Sequence, residues 1–83
     1  MITHDKAAQK FLIQNPEGTS YLEYSREGGA ITVLHTVVPE ALSGQGLAGK
    51  LADACFQFAR TEKKPIRSEC SYMTAWLKRH HVQ

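Results

Sequence analysis

The chain has 83 residues, 42% apolar and 22% charged, which fits one small globular domain and excludes both a disordered tail and a two-domain enzyme. Ten Lys and Arg against eight Asp and Glu leave a net charge of +2, too small a basic excess for wrapping a phosphodiester backbone, so no nucleic acid partner is expected. The start has no basic segment followed by an apolar one, and no apolar run nears the ~20 residues of a membrane span; the expectation is a cytoplasmic protein, monomer or homodimer, with Cys55 and Cys70 as reduced thiols.

In chain order, Lys10 to Gln14 read as a first strand that the turn residues Asn15-Pro16-Glu17-Gly18 terminate. Thr19 to Glu27, with Tyr21, Leu22 and Tyr24 among polar residues, make a second strand ending at Gly28-Gly29. Ala30 to Val38 are dense in β-branched residues, and their near-continuous apolarity predicts a central strand covered on both faces and closed by Pro39. A loop follows. Leu47, Leu51, Ala54, Cys55 and Phe58 then recur at helical spacing, predicting an amphipathic helix to about Glu62, with Lys63-Lys64-Pro65 as its stop. Pro65 to Glu69 suffice for a short strand, and Met73, Trp76, Leu77 and His80 mark a last helix. The order β-β-β-α-β-α is an α/β (α+β) arrangement, a mixed sheet with one parallel pair around a βαβ crossover.

Ser43-Gly44-Gln45-Gly46-Leu47-Ala48-Gly49-Lys50 follows a strand and opens a helix, where unpaired amides and the positive end of the helix dipole suit a phosphate. Gly44, Gly49 and Lys50 nearly spell a phosphate-binding P-loop, but Leu51 stands where a hydroxyl must hold magnesium. Gly44, Gly46 and Gly49 also spell a dinucleotide fingerprint, but too few residues follow to build that fold. A shorter pattern, with Gly46 and Ala48 in the loop, needs only one strand, one loop and one helix. A plain strand-to-helix connection without a ligand is the alternative.

His35-Thr36-Val37-Val38-Pro39, Leu42-Ser43-Gly44-Gln45-Gly46-Leu47-Ala48, Ala59-Arg60, Cys70-Ser71-Tyr72 and Arg79-His80 together resemble the very short branch of the GNAT N-acetyltransferase superfamily. The resemblance implies a minimal GNAT-like domain over residues 1–83 that uses acetyl-coenzyme A and transfers its acetyl group to an unidentified amine. It also implies that loop amides from Gln45 to Gly49 hold the pyrophosphate, and that the strand ending at Val37 and Val38 pairs with the pantetheine arm. Ser43 departs from the family's Arg or Gln, removing a long side chain that helps hold phosphate; Gln45 or Lys50 is placed to compensate in part. A non-catalytic coenzyme A-binding module is the alternative function, because a chain this short leaves out the helices with which larger members build an acceptor pocket; a purely structural or partner-binding domain is a third.

Acyl transfer needs a nucleophile, donors for the tetrahedral oxyanion and an acid for the leaving thiolate. Cys70 falls at the start of the last helix, where free amides stabilise a thiolate, and the resemblance places a cysteine at the acetyl site; packing at a strand end is the alternative. Tyr72 matches approximately a family tyrosine that protonates the coenzyme thiolate, and packing explains it equally. His35 is either a base for the amine or a hydrogen-bonded core histidine, whereas Cys55 belongs to the helix stripe. His4, His80 and His81 make no metal-ligand spacing, so no metal is expected. Lys78, Arg79 and the terminal histidines suit the coenzyme's 3′-phosphate or merely the helix dipole.

Overall fold

The computed structural model describes residues 1–80, so His81 lies outside the described residues. Period-two patterning builds the sheet. In β2 (Lys10–Asn15) Phe11 and Ile13 are buried, and in β3 (Gly18–Ser25) the buried set is Ser20, Leu22 and Tyr24. These strands pair antiparallel from Lys10↔Glu23 to Asn15↔Gly18. β4 (Ile31–Val37) pairs antiparallel with β3; after α1 (Leu47–Thr61), β5 (Ile66–Ser68) lies parallel to β4, and α2 (Ser71–Arg79) follows. The mixed sheet with two helices is the architecture the sequence predicts, with one strand added at its edge: the order is β1-β2-β3-β4-β5.

That added strand, β1 (Thr3–Asp5), is too short and too polar to carry a period. Aromatic packing holds it instead. The His4 ring stacks on Phe11 with centroids 4.0 Å apart, meets Phe58 edge-on at 4.5 Å, and places Nε2 2.7 Å from the Tyr24 hydroxyl. Burial, then the Lys6 and Arg26 charges, push the His4 pKa below its ordinary value.

β4 corrects a second expectation, because it is central but covered on one face only. Ile31 and Val33 are buried, Thr32 and Leu34 are half-buried, and His35 and Val37 are exposed. Both helices pack on one side, where Leu22, Ile31, Val33, Leu51, Ala52, Cys55 and Met73 are fully enclosed, and the other face meets solvent. Within the apolar run, the adjacent pair Val33-Leu34 marks a bulge. Glu23 faces His35 while Tyr24 faces Val33, so Leu34 is an extra residue. Beyond it Thr36 pairs with the buried Leu22 and so joins the helix side, while His35, opposite Glu23, takes the open face.

The α1 stripe is buried at Leu47, Leu51 and Cys55, with Ala52 and Ala59 added and with Ala54 and Phe58 at its half-buried margins. Pro65 does not itself end this helix. Lys63 takes φ 58°, its amide donates to the Arg60 carbonyl at 3.0 Å, and the Lys64 amide donates to the Ala59 carbonyl at 2.9 Å, closing the end before the proline is reached.

Candidate functional site

β4 and β5 pair only from Ile31↔Ile66 to Val33↔Ser68, and the Glu69 amide makes the last rung to the Val33 carbonyl at 2.8 Å. There the strands part. β4 continues to Val37 against β3, while the segment after β5 turns into α2, so among the described residues no strand pairs with this edge of β4 from Leu34 onward. The gap lies on the way to the glycine loop.

Pro39 and a 3-10 turn over Glu40–Leu42, pinned by buried Leu42, lead into that loop. Gly44 at φ 81° and Gly46 at φ 74° take left-handed backbone that side chains disfavour, and Gly46 is the N-cap of α1 with no side-chain cap. The amides of Leu47, Ala48 and Gly49 therefore have no partner within the helix. A Cβ built on Gly44 or Gly46 meets no atom within 4 Å, so backbone conformation and access, not packing, select glycine. A hollow of about 270 Å³ sits here, floored by Val38 and Leu42, rimmed by Ser43, the glycines, Leu47 and Ala48, and faced by Tyr72 of α2. Gln45 is exposed on the loop outside this lining, and Val37 is exposed on the ladder position opposite Tyr21. Lys50 lines an adjoining hollow with Arg79 and His80; Lys78 is not part of it.

Cys70 is the N-cap of α2, half-buried at the mouth of the gap. Its Sγ–H donates to Thr36 Oγ1 at 3.5 Å. Burial pushes the thiol up, but the Met73 amide, the Thr36 hydroxyl and the Tyr72 and Thr36 amides together outweigh it and hold the thiol below its ordinary value. Ser68 Oγ accepts from the Cys70 amide at 3.2 Å, donates to the Cys70 carbonyl at 2.8 Å and accepts from Thr74 Oγ1 at 2.9 Å, which fills its capacity and fixes the backbone under the sulfur. Cys55 is fully buried and its thiol is pushed up to about 12. At neutral pH iodoacetamide should therefore alkylate Cys70 at least roughly a hundredfold faster than Cys55 in the folded chain. Peptide mass spectrometry over a time course checks this, and equal rates would contradict the contrast.

The three residues with candidate chemical roles do not share one pocket. Cys70 and Tyr72 lie on the helix side, with the Tyr72 hydroxyl 3.5 Å from a Cβ built on Gly49, whereas exposed His35 takes the open face. On that face Glu27, Thr32, Arg67 and Glu69 border a groove of about 690 Å³ that reaches Ser68, two residues before Cys70. Among the described residues no cluster of His, Cys, Asp and Glu is arranged to hold a metal ion, and no helix is long and apolar enough to cross a membrane. Sequence reasoning quoted Thr36 only as part of the His35–Pro39 segment and gave neither it nor Ser68 a role. A hydroxyl residue inside an apolar strand was the available signal for Thr36, but its facing depends on the bulge, which no alternation pattern announces.

A family model described as GCN5-related N-acetyl-transferase matches residues 10–83, taking in every element above except β1. A search of curated proteins finds no match.

Proposed function

The chain belongs to the GCN5-related N-acetyltransferase family, and on that premise we propose that it binds acetyl-coenzyme A at the start of α1 and transfers the acetyl group to an amine. One juxtaposition carries the reading: the uncapped N-terminus of α1, opened by two left-handed glycines, lies beside the unpaired edge of β4 with the Cys70 thiol at its mouth. The loop from Ser43 to Lys50 holds the pyrophosphate, its oxygens accepting from the amides of Leu47, Ala48 and Gly49 and gaining from the helix dipole. The pantetheine arm runs along Val37 and Val38, whose backbone supplies the pairing that no strand provides there. With Ser43 in the place of the family's long side chain, the amides and Lys50 hold the phosphates.

The thioester then reaches Cys70. The thiolate attacks the acetyl carbon, the bond from that carbon to the coenzyme sulfur breaks, and the departing thiolate takes a proton from the Tyr72 phenol or from water. The Thr36 amide donates to the oxyanion as the sulfur turns from it to carbon. An acceptor amine approaches from the open face, where His35 takes its proton directly or through water, and its nitrogen displaces Cys70 to give the amide and regenerate the thiolate. The open-face groove bordered by Glu27, Thr32, Arg67 and Glu69 supports this reading, since it offers an acceptor room close to the start of α2.

Titration with acetyl-coenzyme A followed by amide NMR tests the site. The amides of Gly44 to Leu51, Val37 and Val38 should shift more than the rest; perturbations confined to Lys78, Arg79 and His80 would overturn the loop assignment. Turnover over a panel of amines then separates an enzyme from a non-catalytic coenzyme-binding module.

A further inference from the structure

We infer that Thr36 is a positioning residue for Cys70, its hydroxyl holding the sulfur at the open edge of β4 and favouring the thiolate over the thiol. The inference rests on the reading that Cys70 faces the thioester. It begins from register. Were Leu34 a regular ladder residue, alternation from Ile31 and Val33 would put Thr36 on the open face; because Leu34 is bulged out, Thr36 stands on the helix side opposite Leu22, with Oγ1 3.5 Å from Cys70 Sγ. A valine would fill that half-buried strand position with the same shape, so packing does not call for the hydroxyl.

Chemistry does. To a neutral thiol the Thr36 oxygen is an acceptor; once the proton leaves, the hydroxyl turns and donates to the sulfur. A hydrogen bond to an ion is worth about twice one between neutral groups, so the contact shifts the balance toward the ion. The Cys70 backbone is already fixed by the Ser68 and Thr74 hydroxyls, so rotation of its own side chain is the freedom that the Thr36 contact removes. The titratable neighbours are Glu69 preceding Cys70, Tyr72 on α2 and His35 beside Thr36 on β4; the largest influences on the sulfur are burial, amides and a hydroxyl, none of them a charged side chain.

The test reads the alkylation rate of Cys70 by iodoacetamide against pH in native chain, Thr36→Val and Thr36→Ser, with fold checked by circular dichroism. Thr36→Val should slow the reaction at pH 7 by roughly threefold to tenfold and move the midpoint of the profile to higher pH, with the high-pH plateau within about twofold of native. Thr36→Ser should restore the native profile. A Thr36→Val midpoint equal to the native one, or a serine variant no better than valine, would overturn the inference. If Thr36→Val does not fold, Thr36→Ala takes its place with the same expectations. Alkylation needs no coenzyme, so a native chain that fails to bind acetyl-coenzyme A sinks the proposed function alone, while an unmoved profile sinks the role of Thr36 alone.

Discussion

Gly46→Val is expected to reduce acetyl-coenzyme A affinity at least a hundredfold while the chain still folds. Two effects act together. Gly46 sits at φ 74° as the N-cap of α1, and a β-branched residue held there costs on the order of 1–3 kcal/mol, enough to swing the loop out of its geometry. The new side chain also points into space that is empty, since a Cβ at this position meets nothing within 4 Å, and on the proposed reading phosphate oxygens come through that space to the amides of α1. Emptiness explains why the fold survives: no core atom is displaced. Calorimetric titration measures the affinity and thermal unfolding the fold. Affinity within about threefold of native in a folded variant would mean that the phosphates bind elsewhere.

Cys70→Ala should have the larger effect on turnover and a small one on folding. The α2 turn that begins here is closed through the Cys70 backbone, by Thr74 N–H to the Cys70 carbonyl at 2.9 Å and by the Ser68 hydroxyl, and alanine keeps all of those bonds. What disappears is the proposed nucleophile, so the acetylated protein should vanish from mass spectra and transfer to an amine should fall roughly a thousandfold or more, as expected when a covalent route is removed. Coenzyme affinity should stay near native because the loop is untouched. Full turnover in the alanine variant would leave direct attack of the amine on the thioester as the route.

The sequence was readable where burial imposes a period. Leu47, Leu51 and Cys55 announced α1, and Phe11, Ile13, Leu22 and Tyr24 announced the hairpin, because one-sided packing writes itself into every second or every third to fourth position. The backbone of the loop was legible for a related reason: glycines between a strand and a helix mark left-handed turns, and Gly44 and Gly46 do adopt that backbone. Features made by single contacts between distant segments were not legible. β1 depends on the His4 ring finding Phe11, Tyr24 and Phe58, and Thr-His-Asp alone contains none of that. The facing of His35 and the approach of Thr36 to Cys70 both follow from one irregular residue, so a reader assuming strict alternation assigns them wrongly together.

The bulge also limits how this chain can change length. Before Leu34, Ile31 and Val33 must reach the core; after it, Thr36 must reach the sulfur and Val38 the floor of the loop hollow. The strand is thus tethered at both ends, with an odd residue in between taking up the difference. Taking Leu34 into the regular alternation would give a straighter ladder and a worse protein, since Thr36 would turn to the open face. Replacement of a side chain in β4 is a local event, whereas an insertion or deletion that the bulge does not absorb reassigns every position beyond it. The Pro16-Glu17 turn, which joins two strands whose facing is set by their own buried residues, has no such bookkeeping and is the place where added residues would pass unnoticed.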